Sequence, residues 1–251
     1  MRRATLLLAA AALSAALALI PTACGKKSTE AAPDKSMPMS EKSAPSLAVA
    51  PIAADRLCVT KGAAALGGKV TEPTTRAVAL GSGGDAASLS FTYHGETAVS
   101  RELASGEAFR QLGLKLRAQN GCNLVYVMWR VDPKPGIWVS VKHNPGKRNH
   151  KECGAEGYTR IKPVRRPALA PVPELTPGAS HTLRAEISGD DLHAWIDDQL
   201  VWRGSLPAAA RDLSGPAGLR SDNVSFDLVA FAAGTGGASS APSKCEAEAG
   251  D

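Results

Sequence analysis

The sequence contains no CxxC pair, no acids at E-x-D-x-E spacing, no G-x-S-x-G elbow, no internal repeat of fixed period and no long apolar run beyond residue 20. Each absence removes a class of function. Without paired CxxC spacing, a four-ligand zinc site has no visible frame. Without acids at alternate strand positions, no strand supplies the two carboxylates, roughly 5–10 Å apart, that glycoside hydrolysis uses. Without the elbow, no Ser/His/Asp set is apparent. Ala63 to Val70 (AAALGGKV) imitates a phosphate loop, but it lacks the leading Gly and the Ser or Thr after Lys69. No nucleic-acid-binding motif occurs, so nucleic acid is not an expected partner.

What is present begins at the N-terminus. Arg2-Arg3 precedes an uncharged run from Ala4 to Ile20, followed by Pro21 and the small-residue stretch Thr22-Ala23-Cys24-Gly25. A basic start, a short apolar core and small residues before a cut describe an export signal. The run is alanine-rich and stopped by Pro21, short of the about 20 apolar residues that cross a bilayer. With a cysteine at the cut, the segment resembles a bacterial lipoprotein signal, although Pro21 stands where Leu, Val or Ile is usual. The resemblance implies that residues 1–23 are removed, that Cys24 carries lipid, and that a membrane is a partner. Gly25, in place of the acidic residue that retains enteric lipoproteins at the inner membrane, implies the outer membrane or cell surface. An ordinary cleaved signal is the alternative.

The chain has five cysteines: Cys24, Cys58, Cys122, Cys153 and Cys245. If Cys24 is lipidated, four remain for disulfides in an oxidising compartment. Of the three connectivities, Cys122–Cys153 across the middle of the domain and Cys58–Cys245 closing its ends are favoured. His143, His150 and Cys153 offer an H-x6-H-x2-C spacing, but oxidising surroundings favour the disulfide and no metal is expected. Residues 24–54 are rich in Ala, Lys, Ser, Pro and Met and lack aromatics, as in a flexible tether. Residues 234–251 form a low-complexity tail containing Cys245. Residues 55–233 suffice for one all-β domain with a core.

That middle region reads as strands. Apolar residues alternate through Leu112, Leu114 and Leu116, through Val125 to Val131, and through Ile137, Val139 and Val141. Period-two alternation gives one buried and one outward face. Asp132 to Gly136 is a turn by composition. Further strands are expected at 182–187, 192–196, 199–202 and 224–231, separated by Ser188-Gly189-Asp190-Asp191 and by Asp197-Asp198. The acids in these turns serve the backbone. Many short strands with Gly, Pro and Asp turns predict a two-sheet antiparallel β-sandwich. The stretch HTLRAEISGDDLHAWIDDQLVWRGSL, followed by GPAGLRSDNVSFDLVAF, resembles the C-terminal half of concanavalin A-like (laminin-G-like) jelly rolls, with Asp197-Asp198 in place of their Asp-Gly. The resemblance implies the fold; lectins, glycosidases and passive modules share it.

Two features suggest binding. Along residues 123–143, Tyr126, Met128, Arg130, Trp138, Ser140 and Lys142 share the face opposite the valines. Aromatic platforms beside hydrogen-bonding groups suit sugars, so Tyr126, Arg130, Trp138 and Lys142 are ligand-binding candidates. Trp129 lies with the valines and is expected in the core, as is Trp195. Overall charge is unremarkable at +5, but Lys147, Arg148, Lys151, Arg160, Lys162, Arg165 and Arg166 cluster against only Glu152 and Glu156. Such an excess attracts polysaccharide, lipopolysaccharide or another acidic surface. The expectation is a lipid-anchored, exported binding module for carbohydrate or an anionic envelope polysaccharide, not an enzyme. A structural or protein-interaction lipoprotein is the second reading and a divergent jelly-roll glycoside hydrolase the third. No cofactor is expected, and no Asp/Asn spacing decides calcium.

Overall fold

A computed structural model describes residues 46–164, 169–236 and Cys245. The signal with Cys24, the tether up to residue 45, Arg165 and Arg166, and the tail from residue 237 apart from Cys245 lie outside the described residues.

The strands are β1 (Val49–Pro51), β2 (Leu57–Lys61), β3 (Lys69–Val70), β4 (Thr74–Ala79), β5 (Gly83–Glu96), β6 (Arg110–Asn120), β7 (Asn123–Asp132), β8 (Gly136–Lys142), β9 (Tyr158–Ile161), β10 (Ser180–Ser188), β11 (Asp191–Ile196), β12 (Gln199–Ser205), β13 (Gly218–Asp222) and β14 (Val224–Gly234). A single four-residue helix, α1 (His150–Cys153), is the only α-helix among the described residues. Two antiparallel sheets form the expected sandwich. The first runs β1-β14-β5-β10-β11-β12 with β3 added to β14; the second runs β2-β4-β13-β6-β7-β8-β9.

The alternation produces this arrangement directly. Leu112, Leu114 and Leu116 on β6, Val125, Val127 and Trp129 on β7, and Val139 and Val141 on β8 are all buried. They pack against Leu89 and Phe91 of β5, Leu183, Ala185 and Ile187 of β10, and Phe226, Leu228 and Phe231 of β14. Phe91 stands edge-on to Trp129 at 5.9 Å and to Phe226 at 6.2 Å between ring centres, a favoured aromatic geometry. Both expected disulfides are present, Cys122–Cys153 and Cys58–Cys245. Cys153 is therefore not a metal ligand.

Two expectations are corrected. Trp195 is not in the core: Leu192, Ala194 and Ile196 take the inward positions of β11, so period two places Trp195 outside, tilted against His193 at 5.7 Å. Trp202 of β12 is the buried indole instead. Strand pairing also begins before residue 55. Val49, Ala50 and Pro51 pair with Gly234, Ala233 and Ala232, while the Leu47 amide donates to Glu186 and Arg184 donates to the Leu47 carbonyl. An edge strand held through its backbone leaves no hydropathy pattern to read.

The β11–β12 turn has two residues, with Ile196 opposite Gln199. Asp197 and Asp198 both have positive φ, 48° and 64°, as a hairpin turn of this length requires. Asp197 is fixed by function in the turn: its carboxylate accepts from the Thr182 amide at 2.8 Å and contacts His181 Nδ1 at 2.7 Å. Asp198 has no such bond among the described residues. Asp198→Gly removes the left-handed penalty of a residue with a Cβ. It is expected to raise stability by about 0.5 kcal/mol, read as a higher urea midpoint.

Candidate functional site

The outer face of the second sheet carries a groove of about 930 Å³. Its floor comes from alternate residues that the core does not use: Arg76 on β4, Arg220 on β13, Gln111 on β6, Tyr126, Met128 and Arg130 on β7, and Trp138 and Ser140 on β8. Tyr158 and Arg160 of β9 close one side.

Two loops form the rims, and each is pinned. The loop Arg101–Phe109 is held by Asn223, whose amide nitrogen donates to the Arg101 carbonyl at 2.8 Å and to the Phe109 carbonyl at 3.0 Å. Its amide oxygen accepts from the Arg101 amide at 2.7 Å. Opposite lies α1, stapled to the β6–β7 turn by Cys122–Cys153. Asn149 caps the helix and Glu152 closes a capping box, satisfying amides that a helix start leaves unpaired. Hydrogen bonds from the Arg148 and Asn149 amides hold the Glu152 carboxyl below the usual carboxylate range.

The chemistry centres on Asp222. It is completely buried and accepts from Arg220 Nε and Gln111 Nε2, both at 2.8 Å. Arg76 Nη2 lies 3.7 Å from its other oxygen. Gln111 passes the connection on, its carbonyl oxygen accepting from Arg130 Nε at 3.3 Å. Burial alone would raise the Asp222 pKa, but Arg220 and Arg76 outweigh it and hold the carboxyl below its ordinary value. Arg220 is likewise opposed by burial yet kept well above its ordinary value, chiefly by Asp222. Buried charges of this kind persist only when paired and hydrogen-bonded.

Around this hub, aromatic rings hold guanidiniums in place. Arg130 lies between Phe109, at 3.7 Å, and Trp138, at 3.9 Å. Arg160 stacks on Trp138 at 3.4 Å. Two guanidiniums so close to one ring centre must occupy opposite faces, consistent with β7 and β9 flanking β8. Both faces of Trp138 are thereby occupied, and a ligand meets the guanidiniums rather than the indole. Arg220 sits over Tyr126 at 4.8 Å, and Tyr126 stacks on Tyr158. The Tyr158 ring is partly open to solvent, but its hydroxyl end points into the floor beside Arg220, and burial pushes its pKa up. Burial, and then the charge of Arg160, depress Arg130 to about 10. The arginines therefore feel one another.

The structure brings Tyr126, Arg130 and Trp138 into the groove as their shared face implies. Lys142 lies on that face but is completely buried, its ammonium donating to the carbonyls of Gly121 and Gly154 at 3.2 and 2.9 Å. Its place is under the α1 rim. The basic stretch does not form one patch. Lys151 and Arg160 reach the groove, Lys147 pairs with Glu156 at 2.7 Å, and Arg148 and Lys162 are exposed away from it. Arg165 and Arg166 fall outside the described residues. Sequence reasoning missed Arg76, Phe109, Gln111, Tyr158, Arg220 and Asp222. One signal was available: Arg220 and Asp222 are two apart beside buried Leu219, opposite charges on the polar face of one short strand.

No family model matches the chain, and no curated protein matches it. Among solved structures, the chain is similar to the carbohydrate binding module CBM66 from Bacillus subtilis, at 13% identity over 72% of this chain and 94% of that one, TM-score 0.46. It is also similar to the Caenorhabditis elegans galectin LEC-6, at 10% identity over 66% and 94%, TM-score 0.35. A third is the Crh5 transglycosylase in complex with NAG, at 13% identity over 75% and 83%, TM-score 0.40. These likenesses concern chain path; the groove is interpreted from its own residues.

Proposed function

We propose that the protein is an exported, lipid-anchored binding module that holds an envelope polysaccharide in the groove on its second sheet. The observation that carries this reading is the groove itself: it gathers four arginines, Arg76 and Arg220 paired to the buried Asp222 and Arg130 and Arg160 stacked on Trp138, with Ser140 among the lining residues. Its rims are fixed by a disulfide and by Asn223, and a preformed site loses less entropy on binding. Export and anchoring follow from the N-terminal signal and Cys24. Binding is favoured over glycoside hydrolysis because the lining carboxylates, Glu102 and Glu107, share one rim loop. Hydrolysis needs carboxylates that flank the scissile bond.

The test is retention of the purified full-length chain on immobilised neutral and acidic polysaccharides, with product analysis on the same samples. Retention of a polysaccharide that emerges uncut is the expected result. No retention of any polysaccharide would refute the reading, and shortened products would replace it with hydrolysis or lyase chemistry.

A further inference from the structure

Arg130 and Arg160 differ from the other arginines of the groove. Arg220 and Arg76 are committed to Asp222. Arg130 gives Nε to Gln111, and its Nη nitrogens make no hydrogen bond among the described residues. The Arg160 side chain makes none among them, and it lies against the Trp138 ring. Phe109 and Trp138 cover both faces of the Arg130 guanidinium, so only its edge is open. Trp138 is itself fixed, donating through Nε1 to the Lys134 carbonyl at 3.0 Å. The result is a stack in which two cations, one on each side of an indole, both line the groove.

This arrangement carries a repulsive cost. Two like charges share one ring, and no carboxylate pairs with either among the described residues. The acid with the largest influence on Arg130 is Glu107 on the rim loop, and its effect is weaker than that of Arg160. An anion that enters the groove relieves the repulsion. A guanidinium whose faces are covered recognises ligands through its edge, where two parallel N–H donors match a planar carboxylate.

We infer that the Arg130–Trp138–Arg160 stack is a carboxylate-reading subsite, and that the ligand is a polyuronate carrying carboxylates on neighbouring sugar units. The inference rests on the groove being a polysaccharide site. Arg130 and Arg160 set specificity by fork geometry, while Asp222, through Gln111, positions Arg130. The Trp138 indole is the spacer that keeps the two forks apart.

The experiment compares a polyuronate, the same polymer after carboxyl reduction, a sulfated glycan of equal charge density, and polyglutamate, each titrated against the full-length chain at fixed salt. The polyuronate is expected to bind at least about tenfold more tightly than its reduced form, as loss of charge-assisted hydrogen bonds implies. Arg160→Gln should weaken polyuronate binding by about ten- to hundredfold. Because Arg160 is exposed, the fold should be unaffected, checked by an unchanged melting temperature. Arg160→Lys keeps the charge and loses the fork, and should restore little. Arg130→Lys gives a second reading from the buried side of the stack.

Equal binding of the carboxyl-reduced polymer would overturn the inference and leave the polysaccharide reading standing. Equal binding of the sulfated glycan, or full rescue by Arg160→Lys, would overturn the carboxylate fork in favour of charge alone. Equal binding of polyglutamate would overturn the sugar and keep the carboxylate. Failure of every polymer to bind would remove both.

Discussion

Replacing Asp222 by Asn is expected to cost the fold about 3–5 kcal/mol, the penalty for stranding buried charge by removing its partner. The amide fills the same volume, so packing is not the cause. What changes is the charge at a site with no solvent exposure, where Arg220 donates at 2.8 and 3.3 Å and Arg76 lies 3.7 Å away. The amide also cannot accept with both heads: an NH2 group in place of Oδ2 deprives both Gln111 Nε2 and Arg220 Nε of their acceptor, and in place of Oδ1 it confronts Arg220 Nη2 and Arg76. Urea unfolding measures the loss. A change below about 1 kcal/mol would mean that Tyr126 and Tyr158 alone are sufficient to hold Arg220. Adding Arg220→Met to the variant should recover part of the loss, giving a coupling of about 1–3 kcal/mol in a double-mutant cycle. The pH dependence has a definite sign. Because the folded pKa of Asp222 lies below the unfolded one, its stabilisation is fully present above the ordinary aspartate range. It is lost as pH falls through the folded value. The variant should lack that acid-side slope.

The same residue shows why the site was less legible than the fold. The strands of residues 112–142 are visible because each carries its own period-two pattern, and the turn Asp132–Gly136 announces itself by composition. The sandwich follows from such local patterns, and an even cysteine set implies two disulfides without fixing which of three pairings they take. A groove floor is a different object. It is assembled across β4, β13, β6, β7, β8 and β9 in that spatial order, so Arg76 and Asp222 become neighbours although most of the domain separates them in sequence. No local pattern encodes that adjacency. Tyr126, Arg130 and Trp138 were legible because they sit on one hairpin, where register alone fixes their shared face. Lys142 shares the face but not the exposure, since α1 folds over it. Trp195 shows the opposite error, hydrophobicity having outweighed the alternation of Leu192, Ala194 and Ile196.

Removing Cys58–Cys245, as the double Ser variant, is expected to lower stability by about 3–5 kcal/mol, acting mostly through the unfolded chain. The bridge closes a loop of 187 residues, nearly the whole domain, so its loss frees more of the unfolded ensemble than any other bond could. Cys122–Cys153 closes 31 residues, and in the chain-entropy model its contribution is somewhat smaller. Stability alone therefore separates the two poorly, and two other readouts separate them well. Loss of Cys58–Cys245 lets the unfolded chain expand, so the urea m-value should rise, while binding at the Arg130–Trp138–Arg160 end of the groove stays unchanged, because β2, whose Lys61 lines the other end, lies across the sheet from β8 and β9. Loss of Cys122–Cys153 should leave m nearly constant. It frees the α1 rim, including the Gly154 carbonyl that receives Lys142, and exposes a buried ammonium that then needs water. Binding in the groove should weaken with it. If instead the Cys58–Cys245 variant loses binding, that bridge maintains the sheet on which the groove is built and its role extends beyond the unfolded chain.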